Sequence, residues 1–144
     1  MKAALLAVVA LAACKPVLTA ESPSPPGRSA RLEEVHDFWG LDHYRAELSQ
    51  GVALAFSCYG GGPCEHMKVT SDDPSIAEVR IASLGTLQRS GMYNNATMAA
   101  SVVVGKKPGT TRLHVRADDD HGGRWIDVTV VAPPAPANRQ TAAR

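Results

Sequence analysis

Cys58 and Cys64, in the stretch Cys-Tyr-Gly-Gly-Gly-Pro-Cys, are the chain's most reactive closely spaced side chains. Three chemistries use such a pair: a disulfide, half of a zinc site, or a thiol–disulfide redox couple. Zinc needs four ligands, and His66 is near enough in sequence to be a third, but no fourth follows from the spacing. A thioredoxin-type centre uses Cys-x-x-Cys in a βαβ setting, which is not the pattern here. Two further groups carry metal-ligating types. His36, Asp37, Asp42 and His43 form one, and Asp118, Asp119, Asp120 and His121 form the other. The three consecutive carboxylates lack the alternating ligands and distal Glu of an EF-hand, and neighbouring side chains diverge instead of converging on an ion. Both groups read as solvated surface, with a metal-binding protein as the alternative function. Gly-x-Ser-x-Gly, His-Glu-x-x-His and the phosphate loop do not occur. The expectation is a non-catalytic protein without a cofactor, a small enzyme with a loop-built site being the further alternative. Asn95-Ala-Thr97 matches the N-glycosylation pattern, and Tyr59, Tyr93 and Trp125 are aromatics available to contact a partner.

The amino terminus reads MKAALLAVVALAAC. One positive charge, Lys2, precedes an apolar run from Ala3 to Ala13. Spanning a bilayer takes about 20 apolar residues, so this run is too short, but it has the length of a secretory signal. Leu11-Ala12-Ala13-Cys14 resembles the lipobox of bacterial lipoproteins, and the resemblance covers residues 1–14. It implies removal of residues 1–13, a lipid on the Cys14 thiol and an acylated Cys14 amino group. Two or more acyl chains anchor a protein stably to a membrane. Lys15 stands where Asp would signal retention at the inner membrane, so the outer membrane is the expected address, facing the periplasm or the cell surface. With Cys14 consumed by lipid, Cys58 and Cys64 remain as a pair in an oxidising compartment, which favours the disulfide.

Those residues must be positioned by a modest domain. The chain has 144 residues, a formal net charge of +1 and 44% hydrophobic residues, part of which is the leader. No basic patch is available to neutralise phosphates, so nucleic acid is not an expected partner. Val17 to Arg31 is rich in Pro, Ser and Gly, and residues 133–144 are similar. The predicted organisation is a leader over 1–13, a lipidated tether over 14–33, a domain over 34–132 and a disordered tail over 133–144.

Within the domain, Val52, Leu54 and Phe56 alternate with smaller residues. Leu113, Val115 and Ala117 alternate with Arg112, His114 and Arg116, and Ile126, Val128 and Val130 with Trp125, Asp127 and Thr129. Period two marks half-buried strands. Turn signals at Gly51, Asp72-Asp73-Pro74, Lys107-Pro108-Gly109 and Gly122-Gly123 divide the runs. Matching inward sets pairs Ala117 with Ile126, Val115 with Val128 and Leu113 with Val130, which puts Arg116 opposite Asp127. The predicted fold is all-β, an Ig-like sandwich of about seven short antiparallel strands.

Two stretches are similar to bacterial Ig-like domains of group 2. Val69-Thr-Ser-Asp-Asp-Pro-Ser-Ile-Ala-Glu-Val79 resembles the family's strand, polar turn and Val/Ile-Ala-x-Val strand. Val104-Gly-Lys-Lys-Pro-Gly-Thr-Thr-Arg-Leu-His-Val115 resembles its Pro/Ala-Gly-Thr turn and following strand. Val69 stands where the family often has Trp, residues 82–100 are longer than its usual connection, and the Cys58–Cys64 loop is not a family feature. The two resemblances together imply an envelope lipoprotein whose Ig-like module binds a protein, glycan or cell-wall partner, or serves a structural role.

Overall fold

The computed structural model describes residues 17–20, 23–36, 43–59, 64, 67–83, 99–117 and 123–133. These form nine strands: β1 (Val17–Ala20), β2 (Ala30–Val35), β3 (His43–Ser49), β4 (Ala53–Tyr59), β5 (Lys68–Ser71), β6 (Ala77–Ser83), β7 (Ala99–Gly105), β8 (Gly109–Arg116) and β9 (Arg124–Val131). They build an Ig-like β-sandwich. One sheet has the order β1-β4-β7-β6, the other β2-β3-β9-β8-β5. No helix among the described residues is long and apolar enough to cross a membrane.

The core follows from alternation. Leu54, Phe56 and Val103 from the four-stranded sheet meet Tyr44, Leu48, Leu113, Val115, Ile126 and Val128 from the five-stranded one, all at most 2% exposed. Side chains on a strand alternate between faces, so each period-two run sends its apolar set to the same interior.

Three expectations need correction. The stretch read as a tether through residue 33 contains β1 and β2. Leu18 and Ala30 are each buried to 5% exposure, and the Ser24 hydroxyl donates to the Ala30 carbonyl at 2.8 Å while accepting the Ala30 N–H at 3.2 Å. A few inward-facing apolar residues and one serine are enough to order a segment when neighbouring strands offer unpaired edges. Its Pro and Ser content describes the unfolded chain, not what the sheets recruit. These two strands raise the count above the expected seven and move the start of the folded unit from 34 to Val17. The sandwich is also not wholly antiparallel, because β3 pairs parallel with β9, Tyr44 opposite Ile126 and Leu48 opposite Val130.

The third correction concerns the hairpin of β8 and β9. Leu113 lies opposite Ile126, Thr111 opposite Val128 and Gly109 opposite Val130, and Arg112, not Arg116, faces Asp127. The real register differs from the predicted one by four residues. An even slip leaves every side chain on its expected face, so hydrophobic alternation cannot distinguish the two. The parallel ladder with β3 on one side and the pairing of β8 with β5 on the other settle it.

The sandwich has two unlike ends. At the turn end, connections run between the sheets and bond closely. Gln50 N–H donates to Val131 O at 2.8 Å, Gly51 N–H to Gly105 O at 2.8 Å, Gly105 N–H to Val52 O at 3.0 Å and Lys106 N–H to Ile76 O at 2.8 Å. The Asp73 carboxylate accepts from the Ser75 N–H at 2.9 Å and the Ser75 hydroxyl at 2.6 Å. Gly109, at φ 153°, sits so near Ile76 that an added Cβ would lie 3.0 Å from its Cδ1. That combination of backbone angle and crowding calls for glycine. At the far end lie Val17, Tyr59, His43, Ser83, Ala99, Arg116 and Arg124, the strand ends from which the remaining connections leave.

Candidate functional site

The outer face of the five-stranded sheet collects most of the polar chemistry, in rows set by strand register. One row runs Glu33, Arg45, Asp127 and Arg112 across β2, β3, β9 and β8, alternating in sign. Arg112 Nε donates to Asp127 Oδ1 at 2.8 Å. The adjacent row is aromatic. His114 lies opposite Trp125, the His43 ring stacks on Trp125 with centroids 5.7 Å apart and planes 12° apart, and the Arg112 guanidinium sits 5.6 Å from the Trp125 ring. Each histidine has a carboxylate near it. His114 Nε2 is 3.1 Å from Asp72 Oδ1, and His43 Nε2 is 4.0 Å from Asp127 Oδ2. The result is a patch of rings bordered by acidic side chains, in which Arg112 is paired with Asp127. It can stack against a flat apolar surface, and its ion pairs, being partly exposed, add little to stability.

The outer face of the four-stranded sheet is different. Ala53, Ala55, Val102 and Val104 occupy its centre, and among the described strand residues of this face charge appears on edge strand β6. There Glu78 accepts from Arg80 Nε at 3.1 Å and lies 3.2 Å from Lys106 Nζ, and these two cations, Arg80 first, hold its carboxyl below the usual range.

Between the sheets, Tyr44 joins β1 to the core. The Leu18 N–H donates to the Tyr44 hydroxyl at 3.0 Å, and that hydroxyl lies 3.4 Å from Glu34 Oε1. Burial pushes the Tyr44 phenol up from its ordinary value. The Leu18 bond pulls it down by less, and the Glu34 charge adds to the rise.

Cys58 and Cys64 are joined in a disulfide with Cα atoms 5.3 Å apart, and Cys64 N–H donates to Cys58 O at 3.1 Å. Both cysteines belong to the core, at 1% and 6% exposure, so the bond is a structural clip under β1 and not a reactive surface couple. Of the first metal-candidate group, His36 follows β2 and His43 lies on β3, where it stacks on Trp125, while Asp37 and Asp42 lie outside the described residues. Asp118, Asp119, Asp120 and His121 lie outside them too, as do Cys14, Gly60–Gly62, His66, Tyr93 and Asn95–Thr97. Among the described residues, no three His, Cys, Asp or Glu side chains gather as a metal site.

Sequence reasoning singled out His43 and Trp125 separately but missed their stacking, and missed Arg112, His114 and Asp72 beside them. The alternation did mark Arg112, His114, Trp125 and Asp127 as one outward set. What it lacked was the register that aligns them.

No family model matches the chain, and no curated protein matches it. Among solved structures it is similar to "Structure of surface layer protein SbsC, domains 4-9", at 18% identity and a TM-score of 0.44, covering 86% of this chain and 16% of that one. "Crystal structure of the S-layer protein SbsC domains 4 and 5" aligns at 17% identity and a TM-score of 0.41, over 82% of this chain and 54% of that one. "Structure of the S-layer protein SbsC, domains 5-6" aligns at 19% and 0.40, over 81% and 45%.

Proposed function

We propose that this protein is a lipid-anchored envelope lipoprotein whose Ig-like sandwich is a non-catalytic binding or structural module. The observation that carries the reading is the junction of leader and fold. The lipobox-like Leu-Ala-Ala-Cys14 ends an apolar run of signal length, and β1 begins at Val17, three positions later. A thioether-linked lipid at Cys14 would join the membrane almost directly to the four-stranded sheet. The core disulfide suits an exported compartment. The outer membrane, favoured by Lys15, is part of the proposal, as is membership of the group 2 Ig-like family. The two family-like stretches form β5–turn–β6 and the end of β7–turn–β8, both crossing between sheets at the turn end.

The non-catalytic part of the reading is supported by how the polar groups are spent. Arg112 is bound to Asp127, Glu78 to Arg80 and Lys106, and Asp73 to Ser75, which suits a scaffold better than a set of groups poised to react. Intact-mass spectrometry of protein extracted from envelopes tests the anchor. The expected species begins at Cys14 and carries diacylglyceryl and acyl mass, and Cys14→Ser leaves a form without lipid mass, either unprocessed or soluble. A wild-type chain retaining residues 1–13 with a free Cys14 overturns the reading.

A further inference from the structure

We infer that Val17 and Tyr59 form a bilayer-contacting patch that seats the far end of the sandwich on the membrane surface at a set orientation. The inference rests on the lipid-anchored reading above. Among the described residues three large hydrophobic side chains are exposed: Val17 at 45%, Tyr59 at 52% and Ile81 at 85%. Two of the three are direct cross-strand partners, since Val17 of β1 lies opposite Tyr59 of β4. Leu18 and Cys58, the next pair along, point into the core, so Val17 and Tyr59 share the outer face of the four-stranded sheet at its far end.

Three chain positions separate Val17 from Cys14, and an extended chain covers about 10 Å in that span. A lipid held in the bilayer at Cys14 therefore keeps this pair within reach of the headgroups. The pair has suitable chemistry. Tyrosine concentrates at membrane interfaces, where its ring packs among apolar groups and its hydroxyl stays among polar ones, and valine adds apolar area beside it.

Orientation requires that the anchor pull on something stiff. β1 is bonded along all four residues to β4, buries Leu18 and gives its Leu18 N–H to Tyr44 of the opposite sheet. A pull that reaches Val17 is thus transmitted through β1 to both sheets. With the far end on the bilayer, the turn end points away from it.

Full-length lipidated protein, reconstituted into phosphatidylethanolamine–phosphatidylglycerol vesicles with brominated acyl chains, tests this. Tyr59→Trp places a reporter in the patch, and Lys107→Trp places one at the turn end. After subtraction of wild-type emission, the Tyr59→Trp signal is expected to be blue-shifted and several-fold more quenched than that of Lys107→Trp. Intact mass on the same samples reports the lipid. If Cys14 carries lipid and the two reporters are quenched alike, or neither is quenched, the orientation is wrong while anchoring stands. If Cys14 carries no lipid, both proposals fall.

Discussion

The two ends of the sandwich are built from the same strands and could hardly be more different. At the turn end, backbone bonds cross between the sheets, Lys106 is paired with Glu78, and the Ser75 hydroxyl holds the Asp73 carboxyl below its usual range. At the far end, Val17 and Tyr59 expose apolar surface, and Lys68 of β5 stands directly opposite Arg116 of β8 with no ion pair to a described residue. Like charges in register on adjacent strands cost stability. One end is therefore settled internally, and the other retains groups that an external surface can satisfy.

The largest expected effect breaks the closed end. Gly109→Ala forces a Cβ against Ile76 at a backbone angle that L residues rarely adopt, and should cost about 3 kcal/mol in urea unfolding. A loss indistinguishable from zero would mean that the turn end is not the fold's fixed point. At the other end, removing the clip with Cys58→Ala/Cys64→Ala should cost about 2 kcal/mol on the loop-entropy estimate. The effect should match that of reducing the wild type, and reduction should leave the double variant unchanged.

Tyr44→Phe tests how the far end is held to the core. It strands the Leu18 N–H and should cost about 1.5 kcal/mol, a typical figure for a buried donor left unpaired. The pH dependence has a definite sign. Because the folded-state phenol is shifted upward, folding favours its protonated form. The associated stability is fully present below the unfolded tyrosine value of about 10 and is lost as pH rises through the folded value. Wild type should therefore lose stability with alkali more steeply than Tyr44→Phe, and parallel curves would refute the assignment.

The smallest effect sharpens the contrast. Lys68→Glu converts the repulsion with Arg116 into attraction and should raise stability by about 0.5 kcal/mol. A decrease would show that the basic pair is already neutralised within the chain. Arg112→Ala, by comparison, removes an exposed contact from a row that retains Arg45 beside Asp127, and its unfolding midpoint should move little.

What could be read from the chain alone was whatever depends on neighbours in sequence. The inward sets Val52-Leu54-Phe56, Leu113-Val115 and Ile126-Val128-Val130 follow from the two-residue period of an extended backbone, whichever strands lie alongside. The turns at Gly51 and Gly109 follow from local backbone geometry. Tertiary structure decided everything that depends on which edges meet. It drew β1 and β2 out of a Pro- and Ser-rich stretch, because Leu18 and Ala30 gain burial only once the sheets exist to receive them. It chose the β8–β9 register by fitting that hairpin between β3 and β5, a choice to which alternation is blind at even offsets. It also brought His43 onto Trp125 and Val17 beside Tyr59, pairs separated by 82 and 42 positions in sequence. Local spacing carries no term for such contacts, since their formation requires that the loops between them first be closed.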